Sequence, residues 1–272
     1  MKSLAGKTAF VTGGASGIGV GIARAFLRQG MQVVIADIND SNFDTVLADL
    51  GGDDRVRALR VDIADRQDVE RAADEAESLF GNVHVLCNNA GIGCSGPGHT
   101  APVKQWEQVV NVNLHGTFNG IQVFVPRIRK HGEGGHIVNT SSMTGLYPNR
   151  SQFVYGATKY AIVGMSEFLR DDLENEGIAV SVLCPNTVLT PMSAFRDRPG
   201  DTDEIRRKRA EYLQQHGIVL ESPDNVGEMV VRGILNDEMY IFTDGKQSRQ
   251  MLETRFHNLV TAMERQFPDE KN

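Results

Sequence analysis

Tyr155 and Lys159 stand four residues apart in Tyr155-Gly156-Ala157-Thr158-Lys159. On a helix that spacing puts both side chains on one face. An ammonium beside a phenol favours the phenolate and lowers its pKa from the unperturbed value of about 10. A tyrosine so placed can act as a general acid/base near neutral pH. Thirteen residues before Tyr155, Ser142 closes the pair Ser141-Ser142. Two hydroxyl donors aimed at one oxygen would stabilise negative charge developing there. A Tyr-x-x-x-Lys pattern alone is weak, so its neighbours decide its meaning.

A second constellation lies near the N-terminus, in Thr12-Gly13-Gly14-Ala15-Ser16-Gly17-Ile18-Gly19. It joins a β-branched apolar run to a helical pattern. Glycines there let the backbone turn tightly and approach a pyrophosphate, whose charge a helix N-terminus stabilises. The spacing differs from GxGxxG, and no Gly-Lys-Ser/Thr follows, which excludes a nucleotide-hydrolysing P-loop. The plainer alternative is a glycine turn packing a helix on a sheet. Asp37 stands 20 residues after Gly17, at the end of the second strand-like run. An acidic side chain there accepts hydrogen bonds from an adenosine ribose and repels a 2′-phosphate. Ser16, Ile38 and Asn39 are not basic. The pattern favours NAD over NADP; the competing role for Asp37 is a helix cap.

These residues need a frame. Strand candidates fall at 7–12, 32–36, 55–61, 83–87, 136–140, 179–183 and 240–242. Helical patterns fall at 18–28, 41–50, 66–80, 103–130, 153–176, 202–215, 223–235 and 247–265. Such alternation implies a Rossmann-like, doubly wound α/β fold: one domain over 1–272, with about seven parallel strands and helices on both faces. Near-continuous apolar strands suit a sheet covered twice. Asp65 can cap the third helix, and Gly30, Gly81 and Gly177 sit just past helix ends. From 186 to 223 the chain is polar and carries three prolines, as lids and binding loops do.

In order along 5–190, the motifs are Thr12-Gly13-xxx-Gly17-Ile18-Gly19, Asp62, Asn88-Asn89-Ala90-Gly91, Asn113 in Asn111-Val112-Asn113-Leu114, Ser141-Ser142 and Tyr155-xxx-Lys159. In these the sequence resembles the short-chain dehydrogenase/reductase family, in its single-domain branch. The resemblance implies hydride transfer between a nicotinamide, here NAD, and a secondary alcohol or ketone. It makes Tyr155 the general acid/base. Lys159 lowers its pKa and holds the nicotinamide ribose, Ser142 binds the substrate oxygen, and Asn113 holds a water of the proton relay. The cofactor would lie along Gly13, Ser16, Gly17, Ile18, Gly19 and Asp37. Asp62 and Ile63 would meet the adenine, and Asn89, Ala90 and Gly91 the adenosine and ribose side. Pro185, Val188 and Thr190 would meet the nicotinamide end, with Thr190 on its carboxamide. An NADPH-linked carbonyl reductase would need a basic residue near Ser16 or Ile38, and a non-catalytic nucleotide sensor would be expected to lose Tyr155 or Lys159.

Two regions depart from the family. Asn186 replaces the glycine that usually follows Pro185; it either binds substrate or occupies a left-handed conformation that Asn tolerates. The chain then ends in a helical extension at about 246–266, where Leu252, Phe256, Leu259, Val260 and Met263 recur at helical spacing. These pack the core or another subunit, or wall a substrate pocket. With Phe124-Val125-Pro126-Arg127 and Gln215-His216-Gly217, this ending looks like the subgroup acting on bulky aryl secondary alcohols, including lignin-derived benzylic ones. Met143, Leu146, Met192 and Phe195 are the apolar candidates against such a substrate, beside Ser142 and Asn186.

The composition sets the surroundings. A net charge of −7 over 272 residues is a poor match for nucleic acid or an anionic membrane. The basic run Arg206-Arg207-Lys208-Arg209 is flanked by Asp201, Asp203, Glu204 and Glu211 and reads as a solvated helix face. Cys87, Cys94 and Cys184 form no paired motif, and the histidines show no metal-ligand spacing, so no metal is assigned. With no membrane-length apolar run and no signal-peptide core, the expectation is a cytoplasmic protein. The resemblance adds a homodimer or homotetramer built on the helices near 103–130 and 153–176.

Overall fold

The computed structural model describes residues 1–52, 54–193, 200–215 and 217–268. Seven parallel strands form one sheet: β1 Thr8–Thr12, β2 Gln32–Asp37, β3 Val56–Arg60, β4 Val83–Asn88, β5 Gly135–Thr140, β6 Ile178–Cys184 and β7 Tyr240–Phe242. Their order is β3-β2-β1-β4-β5-β6-β7. The chain runs outward from β1 one way, then restarts at β4 and runs the other way. That reversal opens a crevice at the carboxyl ends of β1 and β4, where such sheets bind ligands.

The helices are α1 Gly17–Arg28, α2 Phe43–Asp49, α3 Arg66–Phe80, α4 Val103–Val110, α5 Gly116–His131, α6 Phe153–Asp172, α7 Asp203–Gln215, α8 Pro223–Leu235 and α9 Lys246–Gln266. Alternate strand residues feed two cores. Ala9, Val11, Val33 and Ile35 pack with Ile22 and Phe26 of α1 and with Val230 and Ile234 of α8. Phe10, Val34 and Ala36 face the other way, towards α3 and α5. The Phe10 and Phe124 rings meet there at 4.7 Å between centroids. Burying a side chain of that size contributes about 1.5–3 kcal/mol, so both faces hold the sheet.

Most boundaries fall within two residues of the sequence expectation, and Asp65 caps α3 by accepting the Gln67 N–H at 2.9 Å. Three helices differ. The stretch at 103–130 is interrupted by a π-helical turn at Asn111–His115. The segment at 41–50 begins with a short tight turn because the Asn39 side chain accepts the Ser41 N–H. The third, expected to reach 176, ends at Asp172. Each cation of the basic run on α7 has an acidic partner: Arg206 with Asp203, Arg207 with Glu211, Lys208 with Glu204, Arg209 with Asp201.

At the amino edge of the sheet, His84 Nδ1 accepts the Thr8 N–H at 3.2 Å and its Nε2 meets Glu133 at 2.9 Å. His131 accepts the Glu133 N–H and meets the Val83 carbonyl. The three side chains are close enough to surround a cation. Every ring nitrogen among them is already hydrogen-bonded, so the cluster acts as a pin between β1, β4 and the turn into β5.

Candidate active site

α6 starts at Phe153 and carries Tyr155 and Lys159 on its first turns. Lys159 is 4% exposed. Its Nζ donates to the carbonyl of Thr140, the last residue of β5, at 2.8 Å and lies 5.5 Å from the Tyr155 ring centroid. Burial pushes the ammonium down to about 8. The phenol of Tyr155 is also shifted, but upward: loss of solvent outweighs the pull of the Ser142 hydroxyl beside it. The Lys159 ammonium is tethered to the Thr140 carbonyl, on the same helix face as the phenol.

Ser142 follows β5 in extended conformation, and its Oγ accepts the Thr144 N–H at 3.1 Å. Ser141 Oγ donates to the Lys159 carbonyl at 2.8 Å, which clamps α6 against the end of β5. Asn113 lies within the π-helical turn and is fully buried. Its Oδ1 accepts the Ile92 N–H at 2.8 Å, and its Nδ2 donates to the Ile92 carbonyl and to Thr158 Oγ1. A Cβ added to Gly91 would lie 3.2 Å from Asn113 Oδ1 and 3.6 Å from Lys159 Nζ. The fold thus brings Gly91, Asn113, Ser142, Tyr155 and Lys159 together from four separate segments. The backbone carbonyl of Asn113 accepts the Thr117 hydroxyl at 2.8 Å. The visible work of this residue is fastening the loop after β4 to α6.

The glycine loop sits over the crevice. Gly13 has φ 64°, and a Cβ there would stand 2.8 Å from Ala90 Cα. Gly17 has φ 53°, and its Cβ would stand 3.1 Å from the Thr190 side chain. Thr12 Oγ1 accepts the N–H groups of Asn89 and Ala90 at 2.9 and 3.0 Å, and Asn89 Nδ2 returns a bond to the Thr12 carbonyl. Ser16 makes no side-chain cap on α1, so the N–H groups of the first turn point outward unpaired by it. Asp37 braces the loop, its carboxylate accepting the Ala15 and Asn39 N–H groups at 3.1 and 3.0 Å. It caps no helix. An uncapped helix start, glycines that admit close approach and a carboxylate at the end of β2 together fit a dinucleotide.

Other expected contacts are distributed less simply. Asp62 Oδ1 accepts the Ala64 N–H, and Ile63 is packed in the core beneath Gly116. The Pro185 carbonyl accepts the Met143 N–H at 2.9 Å, and Val188 is buried and bridges to Glu221. Ile18 is half-buried against the first core. Met143, expected against substrate, is 5% exposed and packs with Val163, Val182 and Cys184. Leu146 is half-buried over that cluster, and Met192 reaches towards Gly93. Phe195 lies outside the described residues. Asn186 is not left-handed. Its Nδ2 donates to Asp244 Oδ2 at 2.8 Å and to Gln247 Oε1 at 3.1 Å, which corrects the left-handed alternative and turns both amide protons towards the C-terminal helix.

Sequence reasoning placed Thr12 in the glycine motif without a role, though its hydroxyl ties the end of β1 to the end of β4, and it missed Arg60. Arg60 is the register partner of Asp37 across β2 and β3, so a basic residue pairs with this strand end although no sequence neighbour of Asp37 is basic. Only strand pairing could have shown it.

The model of the short chain dehydrogenase family matches residues 7–199, which contain the glycine loop, Asn113, Ser142, Tyr155 and Lys159. The chain belongs to the short-chain dehydrogenase family. Membership makes it an NAD(P)-dependent alcohol dehydrogenase or reductase. It is 32% identical to a C alpha-dehydrogenase of a Sphingobium species, covering 97% of this chain and 88% of that one. The apo structure of LigO from Sphingobium superposes with a TM-score of 0.83 at 32% identity, over 99% and 93% of the two chains. A family member from Burkholderia phymatum, solved in complex with NAD, superposes at 0.84 with 28% identity, over 96% and 97%. The family frame therefore extends through α9, beyond the matched residues.

Proposed function

We propose that this short-chain dehydrogenase oxidises a secondary alcohol with NAD, reversibly to the ketone, and that the alcohol is bulky and apolar or aryl. The observation that carries this is the convergence of Ser142, Tyr155 and Lys159 at the carboxyl edge of the sheet, beside the glycine loop and Asp37. The substrate oxygen would sit between the Ser142 and Tyr155 hydroxyls. Tyr155 takes the carbinol proton, and Ser142 donates to the oxygen as its charge changes. Lys159, held by Thr140, stands near the ribose side and supplies positive charge close to the phenolate. The nicotinamide, when bound, accepts the hydride. Gly13, Gly17 and the N-terminus of α1 would hold the pyrophosphate, and Asp37 the adenosine ribose. Asp62 would meet the adenine, and Thr190 the carboxamide.

The apolar substrate is supported by Leu146, the exposed Leu189 and Met192 at the rim, and the likeness to the C alpha-dehydrogenase. The segment 186–223 would serve as the substrate lid. Exposed Trp106, Phe118, Phe153 and Phe168 on α4, α5 and α6 support a homo-oligomer through those helices. No helix among the described residues is long and apolar enough to cross a membrane. Arg60 favours a second reading, NADPH-linked reduction. Against it, Arg60 faces Asp40 at 3.9 Å and also acts on Asp68, so two carboxylates offset its charge.

The test is NADH formation across aryl, alicyclic, steroid and sugar secondary alcohols, with Tyr155→Phe as control. Turnover of an aryl or alicyclic alcohol that the substitution abolishes supports the proposal. Cofactor binding without turnover of any alcohol, or a requirement for NADP, counts against it.

A further inference from the structure

We propose that α9 is a working part of the active site, and that Asn186 is the positioning residue through which it fixes the loop after β6 for the nicotinamide half of the cofactor. This rests on the cofactor reading above.

The tail segment touches two residues, each the chain neighbour of a residue already placed at the site, and packs on a cluster that contains a third. Asn186 follows Pro185 and joins Asp244 and Gln247. Tyr160 follows Lys159; Arg255 donates to its hydroxyl and stacks over its ring, 4.8 Å from the centroid. Met143 follows Ser142 and lies in the cluster on which Leu252 packs. One helix therefore holds the flank of the lysine and the loop that carries Val188 and Thr190, and packs on the cluster beside the serine.

The Asn186 contact is built rather than incidental. Asp244 accepts the Ser248 N–H and hydroxyl at 2.9 and 2.7 Å, so it caps the first turn of α9 while accepting from Asn186. The Asn186 N–H donates to Thr243 Oγ1 at 2.9 Å. Thr243 and Ser248 are both buried. Glycine at 186 would keep only the backbone bond. Asparagine adds two side-chain bonds, and a chain with this helix at its end can use them. The loop so held ends at Thr190, against Gly17, and at Met192, against Gly93. Freed at Asn186, it would lose its set distance to the crevice, while the glycine loop and Asp37 at the other end would be untouched.

The experiment measures binding of NADH and of ADP-ribose, which lacks the nicotinamide, to the full chain and to Asn186→Gly, Asn186→Asp and the double variant Asn186→Asp with Asp244→Asn. Asn186→Asp sets two carboxylates against each other; the double variant restores a donor–acceptor pair in reverse. A net hydrogen bond predicts that each single variant weakens NADH by at least about fivefold. ADP-ribose should stay within about twofold, and the double variant should recover most of the loss. If both ligands weaken alike, if NADH affinity does not change, or if the double variant recovers nothing, the proposal is overturned. A wild-type protein that binds neither ligand would overturn the cofactor reading itself, before any variant is made.

Discussion

Lys159 Nζ is held by the Thr140 carbonyl at 2.8 Å and stands 5.5 Å from the centre of the Tyr155 ring. The helical spacing of four put both side chains on one face, but β5 decides where the charge sits. Two consequences follow for pH. Burial raises the phenol and lowers the ammonium to about 8. Alcohol oxidation needs the phenolate, so its kcat/KM rises with pH across the alkaline range, while ketone reduction, which needs the phenol, falls. Lys159→Met should move the alkaline limb upward and cut the plateau by roughly 100-fold, a typical general acid/base contribution. Profiles in both directions check this. A profile flat from neutral to alkaline pH, or a limb unmoved by the substitution, would show that Tyr155 is not the titrating base.

Asn113 predicts a stability effect distinct from catalysis. Its amide satisfies both backbone groups of Ile92 and contacts Thr158. Asn113→Ala leaves these groups without their partner in a crowded interior. The cost is about 2–3 kcal/mol, the usual penalty for stranded buried polar groups. For a chain of this size that lowers Tm by roughly 5–10 °C. Calorimetry of the two proteins reads it directly. An unchanged Tm would mean that the π-helical turn holds itself and that Asn113 is kept for another reason.

The proposed preference for NAD rests on Asp37, the register partner of Arg60 across β2 and β3. Removing the carboxylate takes away the repulsion of a 2′-phosphate at this strand end. Asp37→Ser is expected to shift the ratio of kcat/KM for NAD over NADP by at least about tenfold towards NADP, since one lost repulsion near a phosphate is worth about 1.4 kcal/mol. Combining it with Arg60→Ala should reverse part of that shift. Steady-state kinetics with both cofactors decides it; an unaltered ratio in Asp37→Ser would remove Asp37 from selection altogether.

The frame was legible because its signals are local. Apolar runs, caps such as Asp65 and the glycine loop depend on a few neighbouring residues, and every expected strand formed. The candidate site residues were named from motif order, and the fold brings Asn113, Ser142, Tyr155 and Lys159 into one region. What escaped were relationships made only by packing. Arg60 pairs with Asp37 in strand register, and Asn186 meets Asp244 across 58 residues. The break after Val110 escaped because Asn113 reaches to Ile92, and helical periodicity carries no trace of that. The phenol shift escaped because sequence gives the sign of a neighbouring charge but not the depth of burial that opposes it.

His136 yields a prediction for acid stability. It is fully buried in β5, with Nε2 at 2.7 Å from Ser181 Oγ. Ser181 donates to the Glu238 carbonyl, so the imidazole Nε2–H must be the donor to Ser181, and Nδ1 has no partner. Protonating Nδ1 would bury a charge and a donor without an acceptor, and burial pushes this histidine down to about 3. In the unfolded chain it takes its proton near pH 6.5. Between those values the unfolded state holds one more proton, so stability falls as pH falls, by up to about 1.4 kcal/mol per pH unit. His84, also lowered by burial, acts in the same direction. His136→Gln keeps a donor for Ser181 but cannot titrate. Its urea midpoint should therefore lie below that of the wild type at pH 7, where a changed core costs stability. It should converge on or pass the wild type as pH drops from 6.5 to 4.5. If the two proteins lose stability in parallel over that range, the proton uptake belongs to His84 and the pin at the amino edge of the sheet.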